Sequence, residues 1–382
     1  MIRLTFEFCP NLNYFITSRE NNRSPKKLFV FRDFIMKFVS TFQAFSSPFA
    51  ASLLLIFVAA LTSDAQWQKQ TVNTNASLRG LSVVNEKIIW ASGTGGTFLR
   101  TIDGGKNWTI GKIPDADKLD FRDVEAFDAN TAYLLSIGEG ENSRIYKTND
   151  GGKTWKLQFQ NKNPKAFFDA LAFWDENNGI AMSDPVDGKY LLIETQDGAT
   201  WKTLNNNKLP DAKAGEAAFA ASGTCLIVNG KSDVFLVSGG NDARVFRSVN
   251  RGSSWSVFDT PIIRGTAGSG IFSIAMFDKT RGAIVGGNYE KPDEINNNLA
   301  LTNEGGATWN LGKGLNGYRS GVTYIDKNTL VAVGASGSDL STDSGESWKN
   351  LDRENYNAVQ AKGRKAIWAV GANGLVAKYS FK

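Results

Sequence analysis

Seven charged side chains are the strongest candidates for chemistry in this sequence. They are Arg79, Arg122, Asp123, Asp169, Asp184, Glu216 and Arg319. Guanidinium groups bind carboxylates and other anions through paired, charge-assisted hydrogen bonds. Carboxyl groups held about 5–9 Å apart can instead cleave a glycosidic bond. The set therefore predicts either recognition of an anionic or carbohydrate ligand, or glycoside hydrolysis.

The composition excludes several other kinds of chemistry. The chain of 382 residues contains no histidine and only two cysteines, Cys9 and Cys225. A Ser-His-Asp triad, a histidine-ligated zinc and a disulfide framework are therefore excluded, and we expect neither a metal nor an organic cofactor. The net charge of +5 is accompanied by no concentrated basic region after residue 65. We therefore expect no nucleic-acid partner.

A short phrase recurs six times along the chain, with the pattern Ser/Thr-x-Asp-x-Gly-x-x-Trp, as in Thr101-Ile-Asp103-Gly-Gly105-Lys-Asn-Trp108. The hydroxyl and carboxylate oxygens can accept hydrogen bonds from the N–H groups of a turn, and glycine allows a positive φ. The tryptophan then begins the next strand and packs between sheets. We therefore predict a structural role for the residues at the third position, which are Asp103, Asp150, Asp197, Asn250, Glu304 and Asp343.

Between these phrases the sequence alternates as short antiparallel strands do. Units of about 45 residues with four strands each indicate a repeat architecture, and seven such units fit residues 66–382. The sequence therefore predicts an all-β fold, a seven-bladed β-propeller with four antiparallel strands in each blade. Trp67 has no phrase before it, and the last strand, at 375–381, has no partner after it. We expect the N-terminal strand to complete the last blade and close the ring.

The repeated phrase resembles the Asp-box, or BNR, repeat. Other motifs, such as Ile367-Trp-Ala-Val-Gly371-Ala-Asn-Gly374 and Gly317-Tyr-Arg-Ser-Gly321, make the chain most similar to the photosystem II stability/assembly factor family, especially its bacterial secreted relatives. The resemblance implies a propeller with a non-catalytic role in binding or assembly.

Alignment of the innermost strands of the predicted blades places the charged residues in two columns. One column holds Arg79, Arg122, Glu216 and Arg319, and the next holds Asp123 and Asp169. Because ligands of propellers usually meet the mouth of the central channel, we expect the first column to face it and to bind a protein or glycan partner. Asp184 lies in a connection that could cap the mouth. The alternative is that these charged residues form ion pairs with one another, such as Arg122 with Asp169, in a water-filled channel and bind no ligand.

The alternative function is a glycoside hydrolase or a sialidase-like enzyme that uses carboxylates at the mouth. Arg79, Arg122 and Arg319 could imitate the arginine triad of a sialidase. Sialidases, however, have six blades and an early Arg-Ile-Pro phrase that this sequence lacks. A non-catalytic binding or assembly scaffold is therefore our main hypothesis.

The first 65 residues read as a segment that is removed on export. Residues 49–61 are apolar but too short to span a bilayer comfortably, as in a secretory signal. Lys37 precedes them, and Ser63-Asp64-Ala65 gives a small-x-small cleavage site before Gln66. We expect translation to start at Met36, with residues 1–35 an over-long extension. The mature domain, 66–382, would be an exported monomer, periplasmic or extracellular, with no membrane span.

Overall fold

The computed structural model of the chain describes residues 66–205 and 207–381. The predicted signal peptide, its cleavage site and the start at Met36 lie outside these residues. The described part is built from short strands and one 3₁₀ turn, Gly140–Asn142. Within it, no helix combines the length and the hydrophobicity needed to span a bilayer.

The strands form seven antiparallel sheets, the blades of a β-propeller. The chain enters through β1 (Gln66–Lys69), which belongs to blade 7. Blade 1 contains β2 (Leu78–Val83), β3 (Ile89–Gly93), β4 (Thr97–Thr101) and β5 (Thr109–Lys112). Blade 2 contains β6 (Asp120–Ala126), β7 (Ala132–Ile137), β8 (Arg144–Thr148) and β9 (Lys156–Gln160). Blade 3 contains β10 (Phe168–Asp175), β11 (Asn178–Val186), β12 (Lys189–Thr195) and β13 (Lys202–Thr203).

The second half of the ring begins after the short strand β14 (Glu216–Ala217). Blade 4 contains β15 (Leu226–Asn229), β16 (Asp233–Val237), β18 (Arg244–Ser248) and β19 (Ser256–Asp259). The short strand β17 (Gly239–Gly240) follows β16 in sequence but joins β14 to the sheet of blade 5. Blade 5 contains β20 (Ser269–Met276), β21 (Gly282–Asn288), β22 (Leu299–Thr302) and β23 (Asn310–Leu311). Blade 6 contains β24 (Gly321–Asp326), β25 (Thr329–Gly334), β26 (Gly337–Ser341) and β27 (Lys349–Asp352). Blade 7 contains β28 (Tyr356–Ala361), β29 (Ile367–Gly371) and β30 (Val376–Ser380), with β1 at its outer edge.

The core lies between the blades. Both faces of each blade are covered by neighbouring blades, so the middle strands are apolar throughout rather than alternating. Every residue of β3 and of β29 is buried. Cys225, a free thiol, is fully buried in the same core, and burial raises the pKa of its thiol.

The N-terminal strand closes the ring, as predicted. β1 pairs antiparallel with β30 and places Trp67 opposite Tyr379. The Trp67 ring is 7% exposed and packs against the rings of Tyr356 and Tyr379, each 5.3 Å away between centroids. Its Nε1 donates a hydrogen bond to Ser338 Oγ in blade 6 at 3.0 Å. One side chain therefore joins the last two blades.

The repeated phrase forms the turn between the third and fourth strands of a blade. In the second copy, Asp150 Oδ1 accepts a hydrogen bond from the Thr154 N–H at 2.9 Å, and Thr148 Oγ1 accepts one from the Gly152 N–H at 2.9 Å. Hydrogen bonds, chiefly from Thr154, lower the pKa of Asp150 to about 2. The equivalent residues also accept hydrogen bonds within their own turns; they are Asp103, Asp197, Asn250, Glu304 and Asp343. These side chains are therefore engaged by local structure.

Blade 4 departs from the predicted strand boundaries. We expected its inner strand at 215–217, but that place holds only β14, which pairs with β17. The inner strand is β15, ten residues later. Gly215 and Gly223 have φ values of 74° and 76°, which glycine adopts without steric cost. Residues 215–223, which we call the crossing segment, are therefore a connection that turns at both ends.

Candidate functional site

A cavity of about 510 Å³ opens at the mouth of the central channel. The inner strands begin at this end of the blades, and antiparallel pairing places the repeated turns at the other end. We call it the mouth cavity; its lining residues are Ser77, Arg79, Arg122, Phe167, Asp169, Asp184, Ala218, Phe219, Ala220, Ala221, Phe272, Tyr289, Tyr318, Ser320, Ala335, Asn355, Tyr356, Asn357 and Ala372. Four of the seven charged candidates thus line one cavity.

Two arginines contribute the positive charge of the mouth cavity. Arg122 Nε donates to Asp120 Oδ2 at 2.7 Å, which neutralises that guanidinium. Within residues 66–205 and 207–381, Arg79 forms no ion pair; its Nη1 donates to the carbonyl of Ala221 at 3.3 Å. Burial, and then repulsion by Arg122, lowers the pKa of Arg79. Arg79 is therefore a partly buried cation that forms no ion pair within the described residues and lies beside an open cavity.

The crossing segment forms one wall of the cavity. Arg122 Nη1 donates to the carbonyl of Ala220 at 3.2 Å, and the Ala218 N–H donates to Asp184 Oδ1 at 2.8 Å. Ser222 Oγ donates to the carbonyl of Ser320, in the chain entering blade 6, at 2.7 Å. Together with the bond from Arg79, these contacts carry the segment across the mouth and hold its backbone in place.

Asp169 and Asp184 form the acidic side of the cavity. Asp169 is 1% exposed, and its Oδ2 has no hydrogen-bond partner among the described residues. Burial, and then the charge of Asp184, raise the pKa of Asp169 well above its ordinary value. Burial raises the pKa of Asp184 to about 6. Both carboxyl groups therefore bind a proton more tightly than a free aspartate does.

Arg319 and Glu216 do not line the cavity, contrary to the column alignment. Arg319 is fully buried; its Nε donates to Asp339 Oδ2 at 2.8 Å, and its Nη1 donates to the carbonyl of Tyr318 at 2.8 Å. Glu216 Oε1 accepts a hydrogen bond from Arg244 Nε at 2.9 Å, and both residues are buried. Arg319 and Glu216, both predicted to bind a ligand, are therefore each paired with an opposite charge inside the protein.

Asp123 joins blade 2 to blade 3. Its Oδ1 accepts a hydrogen bond from the Val124 N–H, and its Oδ2 accepts one from the Leu171 N–H, both at 2.8 Å. Asp123 is 5% exposed and lies outside the cavity lining. The expected pairing of Arg122 with Asp169 is also not formed, because Arg122 pairs with Asp120 on its own strand.

The pH dependence of stability should report on Asp123. Burial raises its pKa from 3.8 to about 7, so the folded state binds a proton more tightly than the unfolded chain. The protonated carboxyl therefore stabilises the folded state fully below about pH 4. This stabilisation, a few kcal/mol, is lost as the pH rises to about 7. Urea unfolding at pH 5 and pH 8 should therefore give lower stability at pH 8. Asp123→Asn should reduce that difference, and an unchanged difference would contradict the assignment.

Sequence reasoning gave no ligand-binding role to the aromatic residues of the mouth cavity, four of which form one cluster: Phe219, Phe272, Tyr289 and Tyr318. Phe219 and Phe272 stack with a centroid distance of 3.8 Å and an interplanar angle of 4°. Tyr318 lies edge-on to Phe272 at 4.7 Å, and Tyr289 lies perpendicular to both phenylalanines. The four residues come from the crossing segment and from blades 5 and 6, so their meeting is a tertiary feature.

The described residues contain no cluster of three or more carboxylate or cysteine side chains placed to hold a metal ion. The mouth cavity offers instead a guanidinium without an ion pair, one buried and one partly buried carboxyl group, and an aromatic wall. This combination can hold an organic ligand by charge, hydrogen bonds and apolar contact.

The fold defines the chain as a β-propeller. It is similar to the solved structure titled "YCF48 bound to D1 peptide", with a TM-score of 0.61 and 16% identity over 84% of this chain and 98% of that one. It is also similar to YCF48 from Cyanidioschyzon merolae, with a TM-score of 0.60 and 17% identity over 83% of this chain and 99% of that one. The WD40 β-propeller domain of Doa1 matches with a TM-score of 0.56 and 10% identity, over 83% of this chain and 98% of that one. No protein-family model and no curated protein matches the chain.

Proposed function

We propose that this chain is a non-catalytic binding scaffold that holds a carboxylate-bearing segment of a partner protein in its mouth cavity. The observation that carries the proposal is Arg79, a partly buried cation that lines the cavity and has no ion-pair partner among the described residues. A ligand carboxylate would supply the missing counter-charge, and charge-assisted hydrogen bonds are strong where water is excluded.

Two further observations support a peptide ligand. The crossing segment already lies in the mouth with the carbonyl groups of Ala221 on Arg79 and of Ala220 on Arg122, so these arginines can bind peptide carbonyl groups. A propeller of similar fold, YCF48, has been solved with a D1 peptide bound. The resemblance of the repeated phrase to the Asp-box, and of the chain to the photosystem II stability/assembly factor family, points to the same role.

We place this function outside the cytoplasm, because the apolar stretch 49–61 and the Ser63-Asp64-Ala65 sequence are typical of a secretory signal. An exported assembly factor of this kind would guide a partner protein without changing it covalently.

Peptide binding by an Arg79→Ala variant tests the proposal. Short synthetic peptides with both ends blocked should bind when they carry one Glu and should bind less tightly when that Glu is replaced by Gln. Arg79→Ala should weaken the Glu peptides about ten- to hundredfold, as expected for a hydrogen-bonded charge pair, and should leave the Gln peptides unchanged. Fluorescence polarisation measures both affinities.

Lys153→Ala is the matched control, because Lys153 is exposed in a repeated turn at the other end of the blades. It should retain the wild-type affinities. An equal loss of affinity in both variants would mean that only the net charge of the protein matters. Binding that does not depend on Glu or on Arg79 would refute the proposed site.

Glycoside hydrolysis is the second candidate, favoured by the neighbouring Asp169 and Asp184. Burial raises the pKa of both carboxyl groups, which is a common property of a general acid. A sialidase-like version is less well supported, because Arg319 is held by Asp339 and cannot complete an arginine triad. Release of nitrophenol from aryl glycosides by the wild type, and its loss in Asp184→Asn, would favour this candidate.

A further inference from the structure

The aromatic wall of the mouth cavity has a defined shape. We call Phe219, Phe272, Tyr289 and Tyr318 the aromatic corner. The Tyr289 ring lies 6.4 Å from Phe219 and 6.2 Å from Phe272, at 82° to each. Because Tyr289 is nearly equidistant from the two stacked rings, it stands beside the stack and not on top of it. The plane of the Tyr289 ring is therefore nearly perpendicular to the planes of the two phenylalanine rings.

Tyr289 lines the mouth cavity and is half exposed. Its exposed fraction is 49%, whereas Phe272 and Tyr318 are 2% and 6% exposed. Two other large apolar side chains with comparable exposure, Ile102 and Val249, lie in the repeated turns at the other end of the blades. An aromatic ring exposed inside a cavity retains apolar surface that a ligand can cover.

The Phe219 side of the corner is held in place before any ligand binds. Phe219 is flanked by Ala218, whose N–H donates to Asp184, and by Ala220, whose carbonyl accepts from Arg122. Its ring is fixed by the stack on the buried Phe272. A preorganised wall avoids the entropic cost of ordering side chains on binding.

The corner adjoins the unpaired cation. Burial raises the pKa of Tyr318, and the nearby charge of Arg79 opposes that shift. Arg79 also donates to Ala221, two residues after Phe219. The apolar wall and the guanidinium therefore border the same cavity on adjacent sides.

We propose that the bound segment carries an aromatic or large aliphatic side chain close to its carboxylate, and that this side chain packs against Phe219 and Tyr289 while the carboxylate lies on Arg79. This inference rests on the proposed function. It makes Tyr289 the residue that determines which acidic segments are selected.

The test uses the same blocked peptides with one Glu, in sets that differ by Phe or Ala at each position on either side of it. For at least one position, the Phe peptide should bind about three- to tenfold more tightly than its Ala partner, as expected for an added aromatic contact. Tyr289→Ala should remove this preference while leaving the Ala peptides unchanged. Tyr289→Phe, which keeps the ring, should retain the preference.

Ile102→Ala is the matched control, since it removes an equally exposed apolar side chain far from the mouth cavity; it should retain the preference. Melting temperatures of all variants verify folding, and Phe219→Leu gives a second change in the same wall with the same expected loss. If binding depends on Glu and Arg79 but Phe and Ala peptides bind equally, this inference fails and the proposed function stands. If binding depends on Phe and Tyr289 but not on Glu, the carboxylate site fails instead.

Discussion

Deletion of β1 is expected to destabilise the propeller by about 4–6 kcal/mol, because a buried tryptophan and a strand ladder are lost together. β1 forms the outer strand of blade 7, and Trp67 also donates to Ser338 in blade 6. Without Gln66–Lys69, the edge of β30 would face solvent, which also favours aggregation. Urea unfolding of a chain that starts at Thr71 measures the loss.

The matched control is a chain that starts at Gln66 and therefore keeps the whole strand. A second variant, Trp67→Ala, separates the ring from the ladder; it should cost about 3–5 kcal/mol by itself. If the chain that starts at Thr71 unfolds at the same urea concentration as the control, closure by the N-terminal strand contributes no stability.

Substitution of Arg319 by alanine is expected to cost about 3–5 kcal/mol, because it leaves the carboxylate of Asp339 buried without its cation. Neither side chain of this ion pair is exposed. Arg319 Nη1 also donates to Ser336 Oγ at 2.9 Å, so a polar group of the loop before β26 loses one of its hydrogen-bond partners too. Thermal or urea unfolding of Arg319→Ala measures the loss of stability.

Arg79→Ala is the matched control, since Arg79 also lies near the start of an inner strand but has no ion-pair partner among the described residues. It should change stability much less than Arg319→Ala. The double variant Arg319→Met with Asp339→Leu should recover part of the loss, because it removes both charges at once. Equal stability of Arg79→Ala and Arg319→Ala would mean that the buried pair does not support blade 6.

The repeat made the fold predictable from the sequence. Each copy of the phrase specifies a turn through contacts among its own residues, such as Thr148 with Asp150 and Gly152. Local hydrogen bonds of this kind depend on residue order alone. The length of the repeating unit, and the six tryptophans of the copies counted together with Trp67, therefore predicted seven blades. The position of Trp67 with no phrase before it predicted how the ring closes.

The crossing segment was not predictable in the same way. Its sequence, Gly215-Glu-Ala-Ala-Phe-Ala-Ala221, contains small and apolar residues like those of an inner strand. Its actual path is set by groups distant in sequence, among them Arg79 and Asp184. No pattern within the segment's own sequence indicates which distant residues it contacts.

What the sequence determined by itself is the set of charged residues at the starts of the inner strands, the repeated turns and the ring of seven blades. Only the tertiary structure decided which of the charged residues are free to meet a ligand. Arg79 and Arg319 occupy equivalent positions in their blades, yet Asp339, on a different strand, neutralises only Arg319. Charge pairing depends on distance in space, and a difference of a few ångströms separates a buried ion pair from an available cation.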